Sequence, residues 1–160
     1  MARLTIENCA AQRAPGRLMR RIDKLMAAFI ESRFGRRDIS FQQWVALKLV
    51  RDGVARSAGD LARELGITTG ATTRLIDGLE TRGLLGRDRG GADRRVVQLM
   101  LTDAGVAIVE ALQVPVLKAW NEVVADFEQN EIEVLIDGLV RLLAAVERVT
   151  GAEISREYTE

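Results

Sequence analysis

The sequence predicts a mainly α-helical fold of the α+β type, with six helices and one two-stranded β-hairpin. Apolar residues recur at helical spacing over most of the 160 residues. Apolar and polar residues alternate over residues 97–101, as in a half-buried strand. Aromatic residues make up 4% of the chain and only 2 residues are proline, which favours helices over a sandwich or barrel.

The first two helices are predicted from one apolar stripe and one capping pattern. Apolar residues from Leu18 to Ile30 follow helical spacing, and Gly35 ends that segment. Ser40 and Gln43 form a capping box that opens the second helix. The second helix is predicted to end at Gly53, which suits a left-handed stop.

Two short helices joined by a glycine-containing turn come next, the pattern of a helix-turn-helix. Ser57 with Asp60 repeats the capping pattern and begins the first of the pair. Gly66 breaks that helix, and Thr68 caps the second. Gly83 ends the second helix, which is the predicted recognition helix.

A hairpin, or wing, follows the helix pair. Residues 84–88 form a short strand, residues 89–93 form a glycine-rich turn, and residues 97–101 return as the second strand. The hairpin carries several arginines. The three parts together predict a winged helix-turn-helix.

Two long helices complete the chain. Thr102 caps the first, and Pro115 is expected to kink it because proline removes a ladder amide. Asn130 with Glu133 resembles the capping pair of the last helix. That helix carries apolar residues at helical spacing from Ile132 to Val146.

Charge is divided unequally along the chain, although the net charge is zero. Residues 1–95 hold 19 Lys/Arg against 11 Asp/Glu, and residues 96–160 hold 4 against 12. The basic part suits a polyanionic partner, although uneven charge on solvated surfaces is the simpler interpretation.

Several functional classes are disfavoured. The chain has no histidine and a single cysteine, Cys9, so imidazole catalysis, most zinc sites and an internal disulfide are excluded. We predict no enzyme activity, no catalytic or metal site and no cofactor. An apolar run long enough for a membrane span and a secretory signal are both missing, which predicts a cytoplasmic protein without a membrane partner.

The sequence resembles the MarR family of bacterial transcriptional regulators over about residues 17–149. The most specific part is Asp93-Arg94-Arg95, a strand, and then Leu101-Thr102-Asp103-Ala104-Gly105, which matches the family's Asp-x-Arg wing followed by Leu-Thr-x-x-Gly. Residues 61–67 resemble the family's first helix of the pair, and residues 73–84 its recognition helix and exit. The resemblance implies a homodimer that binds double-stranded DNA, usually as a repressor at a pseudo-palindromic operator.

The N-terminal part of the recognition helix is the first predicted DNA contact, because small polar residues let a helix approach base edges. The opposing interpretation is an ordinary solvated helix surface. The predicted DNA-binding residues on the helix pair are Ser57, Thr68, Thr69, Gly70, Ala71, Thr72, Thr73 and Arg74. Gly70 and Gly78 lie inside this helix, where each glycine costs about 1 kcal/mol relative to alanine.

The wing is the second predicted contact, through Arg87, Arg89, Arg94 and Arg95. An arginine at a hairpin tip can enter a narrow minor groove. The resemblance gives that place to Arg95 and makes Asp93 the residue that orients it. A solvated basic loop is the alternative, which for Arg87 is as good an interpretation as DNA contact.

Surplus apolar surface at both chain ends predicts self-association. Residues 1–37 and 103–160 are predicted to form a helical dimerisation lobe, and residues 38–102 the DNA-binding lobe. The alternative is a closed monomeric bundle of the same helices.

The resemblance adds a small aromatic or anionic effector as a further partner. Trp44, Met26, Arg20 and Trp120 could line its crevice, but a Trp or Met at helical spacing is more often part of the core, so we assign no effector site. The competing function is a winged-helix protein-interaction module that does not bind DNA.

Overall fold

The computed structural model describes residues 4–6, 9, 13–88 and 97–151. Within these ranges the chain forms six helices and one two-stranded sheet, which confirms the predicted fold class. The elements in chain order are α1 Pro15–Ser32, α2 Phe41–Arg51, α3 Ala58–Leu65, α4 Thr69–Thr81, β1 Leu85–Asp88, β2 Gln98–Leu101, α5 Asp103–Val123 and α6 Gln129–Thr150.

The predicted capping residues set most of the helix starts. The hydroxyl of Ser40 accepts the Gln43 N–H, and the Gln43 side chain accepts the Ser40 N–H, at 3.1 and 3.0 Å. Thr102 accepts the Gly105 N–H at 3.0 Å and so begins α5. Each such cap supplies one partner to the otherwise unbonded amides of a first helical turn.

One expectation for the C-terminal helices needs revision. Helix α6 begins one residue before Asn130, and the Glu131 carboxylate accepts the Glu128 N–H at 2.9 Å. The capping pair is therefore Glu128 with Glu131, and the prediction of Asn130 with Glu133 is wrong. Helix α5 continues through Pro115 to Val123 as one element.

One apolar core joins α1, α2, the helix pair, the hairpin and α5. Leu47, Leu61, Ile76 and Leu112 are all fully buried in it. The Trp44 indole N–H donates to the Val109 carbonyl at 3.3 Å, which ties α2 to α5. The core thus holds the helix pair and the hairpin on the same support.

Helix α6 contributes no buried residue to this core. Its apolar stripe is exposed, together with outer apolar residues of α1 and α5. The large exposed side chains include Leu18, Ile22 and Leu25 of α1, Leu117 and Trp120 of α5, and Leu135, Ile136, Leu139, Leu142, Leu143 and Val146 of α6.

Gly78 offers a direct test of local helix propensity. It lies inside α4, and a Cβ placed on it meets nothing within 4 Å. We expect Gly78→Ala to stabilise the fold by about 0.5–1 kcal/mol, because alanine loses less backbone entropy than glycine in a helix. Urea denaturation would measure this. A destabilised variant would show that the site is more crowded than the structure indicates.

Candidate nucleic-acid interface

The turn between α3 and α4 presents the N-terminal end of α4 to solvent. Gly66 ends α3 in the left-handed region with φ 62°. Thr68 then caps α4, accepting the Ala71 N–H at 3.3 Å. Thr68, Thr69 and Gly70 are exposed, so the first turn of α4 is open to a ligand. Its amides have the orientation that suits a phosphate group.

Further along α4, the predicted contact residues divide between two faces. Thr73 and Arg74 are exposed, and Ala71 is half-buried. Thr73 donates its hydroxyl to the Thr69 carbonyl at 3.0 Å, which leaves the hydroxyl oxygen able to accept from a ligand. These residues form the outer face of the helix.

Thr72 is not part of that outer face, and its burial argues against the predicted contact with DNA. Its side chain is 1% exposed and its hydroxyl donates to the Thr68 carbonyl at 3.0 Å. A buried hydroxyl that bonds its own helix cannot reach a base without unpacking α4. The helical period turns Thr72 inward, beside Ile76 and Leu79, which are also buried.

Ser57, the remaining predicted residue of the helix pair, is half-buried at the start of α3. Its hydroxyl accepts the Asp60 N–H at 3.2 Å and lies 2.8 Å from the Asp60 carboxylate. Burial alone would raise the pKa of Asp60, but hydrogen bonds from Ser57 and the Arg56 amide, with the Arg63 charge, outweigh it and lower the pKa. Ser57 therefore serves the helix cap first.

The hairpin lies beside α4 as an antiparallel pair. Leu85 is opposite Leu101, and Asp88 is opposite Gln98. The Leu99 N–H donates to the Arg56 carbonyl at 2.9 Å, so β2 also bonds the segment that precedes α3. Four predicted wing residues, Arg89, Asp93, Arg94 and Arg95, lie outside the described residues.

Arg87, the one predicted wing arginine that is described, is paired within the chain. Its two terminal nitrogens donate to Asp77 at 2.7 Å and to Glu80 at 2.6 Å. The Arg87 side chain is 32% exposed. Sequence reasoning did not identify Asp77 and Glu80 as parts of the interface. Their spacing of three residues on a helix was the available signal, since it places both carboxylates on one face.

A close contact between backbone segments fixes the hairpin to α5. The Thr102 hydroxyl donates to the Gly83 carbonyl at 2.6 Å. Gly105 is buried, and a Cβ built on it would lie 2.0 Å from the Leu84 carbonyl oxygen. Glycine is needed here for space, since only hydrogen fits between the first turn of α5 and the start of the hairpin.

The four residues considered for an effector crevice do not share one environment. Met26 and Trp44 belong to the core, whereas Trp120 is 43% exposed. Arg20 lines an open depression of about 480 Å³ on α1 with other basic residues. Core packing is therefore the better interpretation of Met26 and Trp44.

The described residues include no candidate membrane span and no candidate metal site. No helix among them is long and apolar enough to cross a bilayer. They also contain no group of three or more Cys, Asp or Glu side chains arranged to hold a metal ion.

Comparison with known proteins finds similarity in both sequence and structure. Residues 37–96 match the MarR family. The structure is similar to apo MarR from E. coli, with 25% sequence identity and a TM-score of 0.70 over 81% of this chain and 96% of that one. It is similar to the transcriptional regulator PA3341, with 25% identity and a TM-score of 0.74 over 83% and 98% of the two chains.

A third solved structure shows a related fold on its target. It is a mutant MarR from E. coli complexed with operator DNA, with 26% identity and a TM-score of 0.71 over 80% of this chain and 92% of that one.

Proposed function

We propose that this chain, whose residues 37–96 match the MarR family, is a member of that family and a sequence-specific DNA-binding transcriptional regulator. It binds a pseudo-palindromic operator as a homodimer, and its bound form represses transcription. The cytoplasmic location predicted from the sequence is part of the same proposal. Release by a small aromatic or anionic effector is a family expectation to which we assign no residues.

One observation carries the proposal: the first turn of α4 is exposed, and the second half of the same helix is joined to strand β1 of the hairpin through Arg87. Thr69, Gly70, Thr73 and Arg74 form the face of α4 that enters the major groove, with Thr68 and Ala71 at its edge. Small residues there allow close approach, and threonine methyl groups can contact thymine. The operator-bound MarR of E. coli, which has a similar fold, supports this use of the surface.

The hairpin supplies the second part of the interface. Arg89, Arg94 and Arg95 stand in the sequence between β1 and β2, so the wing carries three cations beyond its described strands. We assign Arg95 to the minor groove, where negative potential is enhanced, and Asp93 to its orientation. Basic side chains of this kind supply most of the affinity for DNA of any sequence.

Binding to duplex DNA of random sequence tests this function against the protein-interaction alternative. Fluorescence anisotropy with a labelled duplex should show binding that weakens steeply with salt, with a log–log slope steeper than about −3 for a dimer with several phosphate contacts. A protein that leaves the duplex free at low salt, or that binds with a flat salt dependence, would instead fit a winged-helix interaction module.

The homodimer is supported by the exposed stripe on α6. Its long row of leucine and isoleucine side chains is open to solvent, as are the outer residues of α1 and α5. A monomer rarely leaves so large a contiguous apolar surface in water. Pairing about a two-fold axis would cover these helices, so that residues 1–37 and 103–160 form the dimerisation lobe and residues 38–102 the DNA-binding lobe.

Two charges placed in that stripe should break the dimer. We expect Leu139→Glu with Leu143→Glu to weaken self-association about 1,000-fold or more, because four buried leucines per dimer would be replaced by carboxylates. Sedimentation velocity at micromolar concentration would show a monomer. Arg141→Glu is the matched control, since it changes the net charge equally on the opposite side of α6 and should leave a dimer. Equal sedimentation of the double variant and the wild type would contradict this interface.

A further inference from the structure

We propose that Arg87 is a positioning residue of the DNA interface, which holds the wing strand β1 against α4, and that it is not a direct DNA contact. The inference rests on the proposed function. It assigns to Asp77, Glu80 and Arg87 a role that the sequence pattern did not predict.

The geometry of the guanidinium carries the first step. Nη2 donates to Asp77 Oδ1 at 2.7 Å and Nη1 donates to Glu80 Oε2 at 2.6 Å. Each terminal nitrogen thus has its own carboxylate, and both carboxylates stand on the same face of α4. The planar fork of arginine suits such a two-point contact, whereas lysine would offer one point charge.

The contacts of Arg87 with Asp77 and Glu80 form a clamp between β1 and α4. The position of these residues in the fold gives the clamp its function. Arg87 lies in β1 directly opposite Leu99 of β2, which is 6% exposed. Asp77 and Glu80 lie in the second half of α4, after the exposed turn that faces DNA. The clamp therefore fixes the angle between the helix that enters one groove and the hairpin that reaches the next.

Charge gives a second reason for the clamp. Two carboxylates on the recognition helix would repel the phosphate backbone, and a cation bound to both offsets much of their charge. If Arg87 turned away to reach a phosphate, Asp77 and Glu80 would be left unpaired near the DNA. The interaction is partly solvated, with side-chain exposures of 32% for Arg87, 55% for Asp77 and 26% for Glu80, so its effect should be modest.

A double-mutant cycle separates the two roles. One background is the wild-type dimer, and the other carries Asp77→Asn with Glu80→Gln. Arg87→Gln is introduced into both, and affinity for a selected operator duplex is measured at several salt concentrations. Removing the two carboxylates should by itself raise affinity for DNA. The cycle cancels this effect, because the loss caused by Arg87→Gln is measured within each background.

For a clamp, Arg87→Gln should weaken binding about 5- to 10-fold in the wild type and less than about 2-fold in the neutral background, since its partners are already gone. Arg87→Lys should retain part of the wild-type affinity. For a direct DNA contact, Arg87→Gln would cause the same fold loss in both backgrounds. That result would overturn the proposal.

Hydrogen exchange of the β1 and β2 amides in the free protein tests the clamp independently of DNA binding. Arg87→Gln should speed exchange at residues 85–88 several-fold, and should add nothing in the neutral background. If this pattern appeared while the wild type bound no duplex, the DNA function would fail and the clamp would stand. Unchanged exchange together with equal affinity losses would remove the clamp and leave the DNA function intact.

Discussion

Gly105→Ala is expected to lower the free energy of unfolding by about 3 kcal/mol. The added Cβ would lie 2.0 Å from the Leu84 carbonyl oxygen and 3.2 Å from a Leu101 methyl carbon. The first contact is with backbone, which cannot rotate away as a side chain does. Either α5 or the start of the hairpin must therefore move. Thermal denaturation should show a melting temperature about 6–12 °C lower, given about 2–4 °C per kcal/mol at this size.

Gly78→Ala is the control, since it adds the same methyl group in open space within another helix. The contrast between a destabilised and a stabilised variant isolates the steric contact from general glycine-to-alanine effects. Gly105→Ala should also weaken DNA binding at a temperature where it remains folded, because Leu84 directly precedes strand β1 of the hairpin. A melting temperature equal to that of the wild type would mean that α5 does not approach Leu84 so closely.

Arg95→Glu is expected to weaken operator binding about 100-fold or more. An arginine contact with DNA contributes about 1–3 kcal/mol, a symmetric dimer makes each contact twice, and the reversed charge adds repulsion from phosphate. Affinity measured by anisotropy at fixed salt would show the loss. The magnitude of the salt slope should fall as well, because fewer counterions are released on binding.

Arg141→Glu is again the matched control, because it reverses the same charge on α6, far along the chain from the wing. It should keep operator affinity within about 2-fold, since long-range effects of one exposed charge are screened by salt. Retained affinity in Arg95→Glu would refute the assignment of Arg95 to the minor groove.

Local signals made much of this fold predictable. The residues that begin helices act through bonds to amides two or three positions away, so sequence spacing alone reveals them. Ser40, Ser57, Thr68 and Thr102 all cap helices in the structure as the pattern indicated. The alternation over residues 97–101 likewise placed Leu99 inward and Met100 outward.

Features that depend on neighbours from other parts of the chain were not accessible in the same way. Thr72 is a small polar residue of the kind expected at a DNA contact, but the packing of α4 on the core turns it inward. Gly105 reads as one glycine in a family motif, and the Leu84 carbonyl that excludes a side chain is known only from the fold. The sequence does not distinguish Arg87 from the other three wing arginines, because its pairing with Asp77 and Glu80 is visible only in the fold.

Helix α6 shows a competition between local signals. Asn130 is a favoured capping residue, yet the helix starts one residue before it and Glu131 bonds the Glu128 amide instead. The observed pair, Glu128 with Glu131, begins two residues earlier and has Glu at the capping position, where the pattern favours Ser, Thr, Asp or Asn. The sequence pattern therefore favoured the wrong pair.

Selection of bound duplexes from a random DNA pool tests most directly whether two copies of this chain read DNA together. Two recognition helices related by a two-fold axis should enrich an inverted repeat, with half-sites about one helical turn, roughly 10 base pairs, apart. Enrichment of a single unrepeated site would contradict the dimeric reading, and recovery of no common sequence would contradict sequence-specific regulation itself.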